Sequence, residues 1–131
     1  RISKTALKQL EQITIQLKSG TLKSEAQDIS LANSWRARKK ADGIIDWRMS
    51  AVSIHNLVRG LAHPYVGAEF LLNGETIKVW KTKLVPDVPM NREPGFIFSA
   101  EKEGPIIVTG SGGLLLQEMS PSPNLSVGSY L

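Results

Sequence analysis

Two histidines, a near pair of aspartates and a run of cations are the side chains of this chain best equipped for chemistry. His55 and His63 stand eight residues apart, and Pro64 breaks any helix at the second. No cysteine is present, and no carboxylate at helical spacing completes a metal-ligand set around either ring. His55 therefore reads as a polar residue on a helix surface or a domain boundary rather than a catalytic base. Asp42 and Asp46 could share acid–base work, but helix caps and turn bonds account for both more simply. No nucleophile elbow, P-loop or dinucleotide fingerprint occurs. Ser111-Gly112-Gly113 joins two apolar runs with no helix behind it, and so reads as a hairpin turn. Trp35, Trp47 and Trp80 could stack on bases or sugars, although dispersed indoles more commonly serve core or interface.

The cations are the stronger signal. The net charge is +4, and it is unevenly spread. Residues 1–40 carry nine Lys or Arg against three acids, whereas residues 41–131 carry seven against nine. The first third is thus +6 and the remainder −2. Arg36-Ala37-Arg38-Lys39-Lys40 is the densest run. It is either a solvated loop or an anion contact, to a substrate phosphate or to RNA. Arg36, Arg38, Lys39, Lys40 and Arg48 are the candidate contact residues, with no catalytic and no metal-ligating residue beside them.

The elements that would carry these groups follow from periodicity. Ile2, Ala6, Leu10, Ile13 and Leu17 share one helical face over residues 2–18, with Ser3 as N-cap and Gly20 as terminator. This helix packs either on its own domain or on a preceding one. Residues 21–40 read as an extended linker. Ala41-Asp42-Gly43 is a turn, and Ser50 caps a helix over 51–62 whose buried stripe is Ile54, Leu57, Val58 and Leu61. Asn73-Gly74 between two β-rich runs predicts a type I′ hairpin. Its register sets Ala68 against Val79, Glu69 against Lys78 and Phe70 against Ile77, with the apolar side chains on one face and the ion pair on the other. Further strands are expected at 95–100, 105–109 and 114–119, then a tail from Ser120 over the surface. The predicted class is mainly β with α: an OB-like small antiparallel barrel with one packed helix, preceded by an N-terminal helix and linker. No apolar run approaches a membrane span, no signal peptide is visible, and the lack of cysteine fits a reducing cytoplasm. With Arg1 and not Met at position 1, the sequence is expected to be a piece of something longer.

The order and spacing of several short motifs resemble the C-terminal domain of the folate-dependent formyltransferases, a family that includes methionyl-tRNA and amino-sugar formyltransferases. They are Asp42-Gly43-Ile44-Ile45-Asp46-Trp47, Ile54-His55-Asn56-Leu57-Val58-Arg59-Gly60-Leu61, Pro64-Tyr65-Val66-Gly67-Ala68, Asn73-Gly74 with Ile77-Lys78-Val79-Trp80, Ile107-Val108-Thr109-Gly110 and Leu125-Ser126-Val127-Gly128. The resemblance implies residues 1–20 as the terminal helix of a catalytic domain, 21–40 as linker and 41–131 as the OB-like domain. It implies 10-formyltetrahydrofolate as formyl donor for the parent enzyme, with no cofactor on this chain. The family's catalytic Asn, His and Asp belong to the catalytic domain, so this chain would not be catalytic alone. Val66 stands where the family usually has Pro, which would loosen the turn after Tyr65. The basic run, Pro64-Tyr65 and the −2 charge beyond Ala41 lean toward an amino-sugar nucleotide as acceptor. Initiator tRNA is the alternative, and a free-standing OB-type binding module is a third reading.

Overall fold

The computed structural model describes residues 2–89 and 91–131, with the Glu101 side chain excepted. The chain divides into two compact units, Arg1–Arg36 and Ala37–Leu131.

The first unit is built on helix α1, Ile2–Ser19, which buries none of its residues. Its apolar face is open: Leu10 and Leu17 are both more than half exposed. Gly20 ends it with φ 69, and Thr21 N donates to Gln16 O at 2.9 Å. This wraps the free carbonyls of the last turn in the way a left-handed residue permits. Ser3 lies inside the helix, so it is not the expected N-cap. The segment beyond holds one 3-10 turn, Ile29–Leu31, capped by Asp28, whose carboxylate accepts from Ser30 N at 2.9 Å.

The second unit is an antiparallel sheet with helix α2, Ala51–Leu61, packed on it. Its strands are β1 (Ala68–Leu72), β2 (Glu75–Val85), β3 (Ile97–Glu101), β4 (Gly104–Val108) and β5 (Gly113–Ser120), in the order β1-β2-β5-β4-β3. This is the expected mainly-β architecture with one packed helix. Strands β1 and β3 stay unpaired with one another, so the small barrel is open rather than closed. Ser50 caps α2 through its Oγ, which accepts from Ser53 N at 3.1 Å. Of the stripe this cap sets in phase, Ile54, Val58 and Leu61 are buried and Leu57 is half-buried.

The first hairpin forms in the predicted register, from Ala68 opposite Val79 to Leu72 opposite Glu75. Asn73 and Gly74 both take positive φ, 51 and 85, as a type I′ turn demands. Ala68, Phe70, Ile77 and Val79 therefore all face the core. Bulges between Val79 and Thr82 then shift the alternation of β2 by one residue. Lys81 is left exposed and Thr82 turns inward, where its hydroxyl meets His55 Nδ1 of α2 at 2.8 Å. Trp47 is buried in the same core, edge-on to Phe70 with ring centroids 5.5 Å apart.

Both rims of the sheet are partly occupied. On the β1 side, Ile45 N donates to Glu69 O at 2.8 Å. On the β3 side the C-terminal segment does more than lie on the surface. Ile97 N donates to Ser129 O and Gly128 N to Ile97 O, each at 2.9 Å, while Leu125 and Leu131 pack against the core.

Candidate nucleic-acid interface

The candidate cations fall in different surroundings. Arg36 belongs to the first unit and is exposed. Arg38, Lys39 and Lys40 open the second unit, all exposed, and lead into a 3-10 turn, Lys40–Gly43. Lys39 N donates to Asp42 Oδ2 at 2.7 Å, which fixes where the run enters the turn. Gly43 is pressed against the hairpin, since a Cβ there would lie 2.9 Å from Gly67 O. The Lys40 ammonium lies 3.8 Å from Glu69 Oε1 yet its side chain keeps 70% exposure.

Glu69 is the buried acid of this surface. Its side chain is only 8% exposed, and its other carboxylate oxygen accepts from Lys78 Nζ. Two cations thus converge on one buried carboxylate, and an apolar cleft of about 440 Å³ lined by Ala41, Ile44, Phe70 and Leu71 lies beside it. Lys78 is consumed by this pair, whereas Lys81 and Lys83 of the same strand stay exposed.

Arg48 is placed elsewhere and is already engaged. Its backbone carbonyl lies against Gly110, where a Cβ would come within 1.9 Å of the oxygen. Its guanidinium forks onto Asp46, with Nε 2.9 Å from Oδ1 and Nη2 2.7 Å from Oδ2. Those side-chain bonds, with the Arg48 backbone N–H at 3.0 Å from Oδ1, hold the Asp46 carboxyl down from 3.8 to about 2. The same pairing raises the Arg48 pKa. The structure therefore sets Lys40 beside β1 and Arg38 beside the end of α2, on one exposed stretch, whereas Arg48 is paired with Asp46.

The remaining polar candidates have structural work. His55 is bonded to Thr82. His63 stacks on Trp80, with centroids 4.0 Å apart and planes 13° off parallel. Asp42 and Asp46 serve the turns named above. Thr109 Oγ1 donates to the carbonyls of Ser111 and Gly112, closing the glycine-rich turn expected there. Among the described residues, no group of His, Cys, Asp or Glu could hold a metal ion, and no helix is long and apolar enough to cross a membrane.

Tyr65 is the surface residue that sequence reasoning passed over. It is 66% exposed and borders a cleft of about 450 Å³ with Ala37, Arg38, Gly60 and Leu61. The turn bearing it is closed despite Val66, because Tyr65 N donates to Ala62 O and Gly67 N to Leu61 O, at 3.1 and 2.9 Å. An aromatic directly after a helix-breaking proline, downstream of a basic run, was the available signal.

Residues 38–127 match the family model described as formyl transferase, C-terminal domain. The chain is 35% identical over 119 residues to a methionyl-tRNA formyltransferase of Geobacter metallireducens, an alignment covering 91% of this chain and 37% of that protein. It is 32% identical over 123 residues to the methionyl-tRNA formyltransferase of Bacillus subtilis, covering 93% and 38%. It spans a little over a third of the length of these curated relatives. Two variants of HypX from Aquifex aeolicus share its fold, at TM-scores of 0.62 and 0.63, 18% identity, and coverage of 90% of this chain and 20% of theirs.

Proposed function

The chain belongs to the formyl transferase C-terminal domain family, and from that premise we propose that it is the tRNA-facing accessory domain of a methionyl-tRNA formyltransferase. The observation that carries this reading is the run of curated relatives bearing that name, aligned over nine-tenths of the chain. The surface supports it: Arg38, Lys39 and Lys40 form an exposed cationic edge, and Lys81 and Lys83 stay exposed on β2. Such an edge attracts a phosphate backbone without reading its sequence. Initiator tRNA is then the macromolecular partner. The unburied apolar face of α1 packs on the formyl-transferring domain, which holds the folate-derived donor. In this chain His55 is hydrogen-bonded to Thr82 and His63 stacks on Trp80, and neither is assigned a part in formyl transfer.

The amino-sugar acceptor favoured by the charge count is the weaker reading. A sum of −2 beyond Ala41 says nothing of where the charges sit. Glu69 is buried against two lysines and Asp46 is locked to Arg48, so neither acid stands free to repel a polyanion from the Arg38–Lys40 edge.

Titrating the chain with initiator tRNA at increasing salt tests the proposal. The logarithm of the binding constant should fall linearly with the logarithm of salt, by about 0.7 to 0.9 per phosphate contact. Absent or salt-insensitive binding would overturn it.

A further inference from the structure

We propose that Tyr65 and Arg38 form a stacking subsite for one unpaired nucleotide of an RNA ligand. The inference rests on the RNA-binding reading and adds to it a position that recognises single-stranded rather than duplex RNA.

The cleft of about 450 Å³ between these residues has a floor from Leu61, which is buried, and a wall at Gly60. A Cβ built on Gly60 would meet nothing within 4 Å, so that wall is open space rather than a packed surface. One flat π-face and one guanidinium at a single cleft match the two parts of a nucleotide, base and phosphate. Among the described residues no carboxylate lines it. An apolar protein side chain would use the tyrosine but not the arginine, nor the lysines that follow it.

The turn that carries the ring is also closed before any ligand arrives. Two backbone hydrogen bonds, from Tyr65 and Gly67 back to the end of α2, close it. Gly67 itself, at φ 79, is clamped beneath Trp80, since a Cβ there would lie 2.8 Å from the indole. Trp80 in turn is covered by His63. An aromatic on so fixed a turn loses little freedom on stacking.

The test compares two RNA probes that share one stem: a stem-loop with unpaired nucleotides, and a blunt duplex. Tyr65→Ala should weaken stem-loop binding by about fivefold or more and leave the duplex within about twofold. Tyr65→Phe should bind both like wild type, and Arg38→Ala should flatten the salt dependence on the stem-loop. Unchanged stem-loop affinity in Tyr65→Ala would overturn the subsite, as would an equal loss on both probes. Wild-type chain that binds neither probe would instead refute the RNA reading beneath it.

Discussion

The Lys78 ammonium donates to the Glu69 carboxylate across the first hairpin, and it does so where the glutamate is 8% exposed. The pair was readable from register, but its burial was not. Desolvation makes such a pair costly to break and cheap to replace. Lys78→Ala should destabilise the domain by about 3 kcal/mol, because Lys40 remains too exposed to compensate. The double variant Glu69→Leu with Lys78→Met should return to near wild type. Urea denaturation midpoints of both would check this, and equal losses in the two would count against it.

The hairpin turn makes a second prediction. Nothing lies within 4 Å of a Cβ on Gly74, so Gly74→Ala tests backbone conformation alone. At φ 85 it should cost about 1 kcal/mol, and Asn73→Ala, at φ 51, a comparable amount. A wild-type midpoint in both would refute the turn type.

Two other glycines should respond in opposite directions. Gly60 is exposed within α2, and alanine there should stabilise by about 0.8 kcal/mol through helix propensity. Gly110 donates its N–H to Trp47 O at 2.9 Å and leaves no room for a methyl beside Arg48 O. Gly110→Ala should cost about 3 kcal/mol. Thermal melts of the pair read the contrast directly.

Asp46 predicts an acid limb. Its pKa is depressed in the folded chain, so its contribution is fully present above the ordinary value of 3.8 and is lost as pH falls through about 2. A carboxyl NMR titration should place its midpoint near 2, and Arg48→Ala should move that midpoint upward. A midpoint of 3.8 in wild type would rule out the fork in solution.

The same fork separates the cations by role. Replacing Arg38, Lys39 and Lys40 together with alanine should lower the salt slope of tRNA binding by about one for each lost phosphate contact. Arg48→Ala should leave the slope within about 0.5, since the Asp46 carboxylate held by its Nε and Nη2 offsets its charge. Equal effects would show that Arg48 also contacts a phosphate despite its pairing with Asp46.

What could be read from the sequence was local. The hairpin was legible because only a few residues accept positive φ twice in succession, and because a period of two then fixes every facing pair. Helix α2 was legible from Ser50 and its stripe. The pairing of β2 with β5 was not, since nothing within either strand names its distant partner. Nor was the bulge that turns Thr82 toward His55, because it breaks the alternation on which strand reading depends. At the candidate site, residue type identified the cations but not their freedom. Arg48 reads like Arg38 and Lys39 until Asp46 is seen to hold its guanidinium. Tyr65 became informative only once its turn was fixed against Trp80.

The residues laid along the rim of β3 have a consequence for life in a crowded cell. An open sheet carries two rows of free amide groups, each a template for another chain. Here Ile97 is bonded on that rim by Gly128 and Ser129, and Gly95 accepts from Leu131 N at 3.0 Å, while Phe96 and Tyr130 face one another with ring centroids 5.2 Å apart. With Ile45 on the opposite rim, part of each edge is already taken and closed to a neighbour's strand. Trimming 128–131 should therefore uncover the Ile97 amide and carbonyl and raise the chain's tendency to aggregate, which light scattering on heating would read.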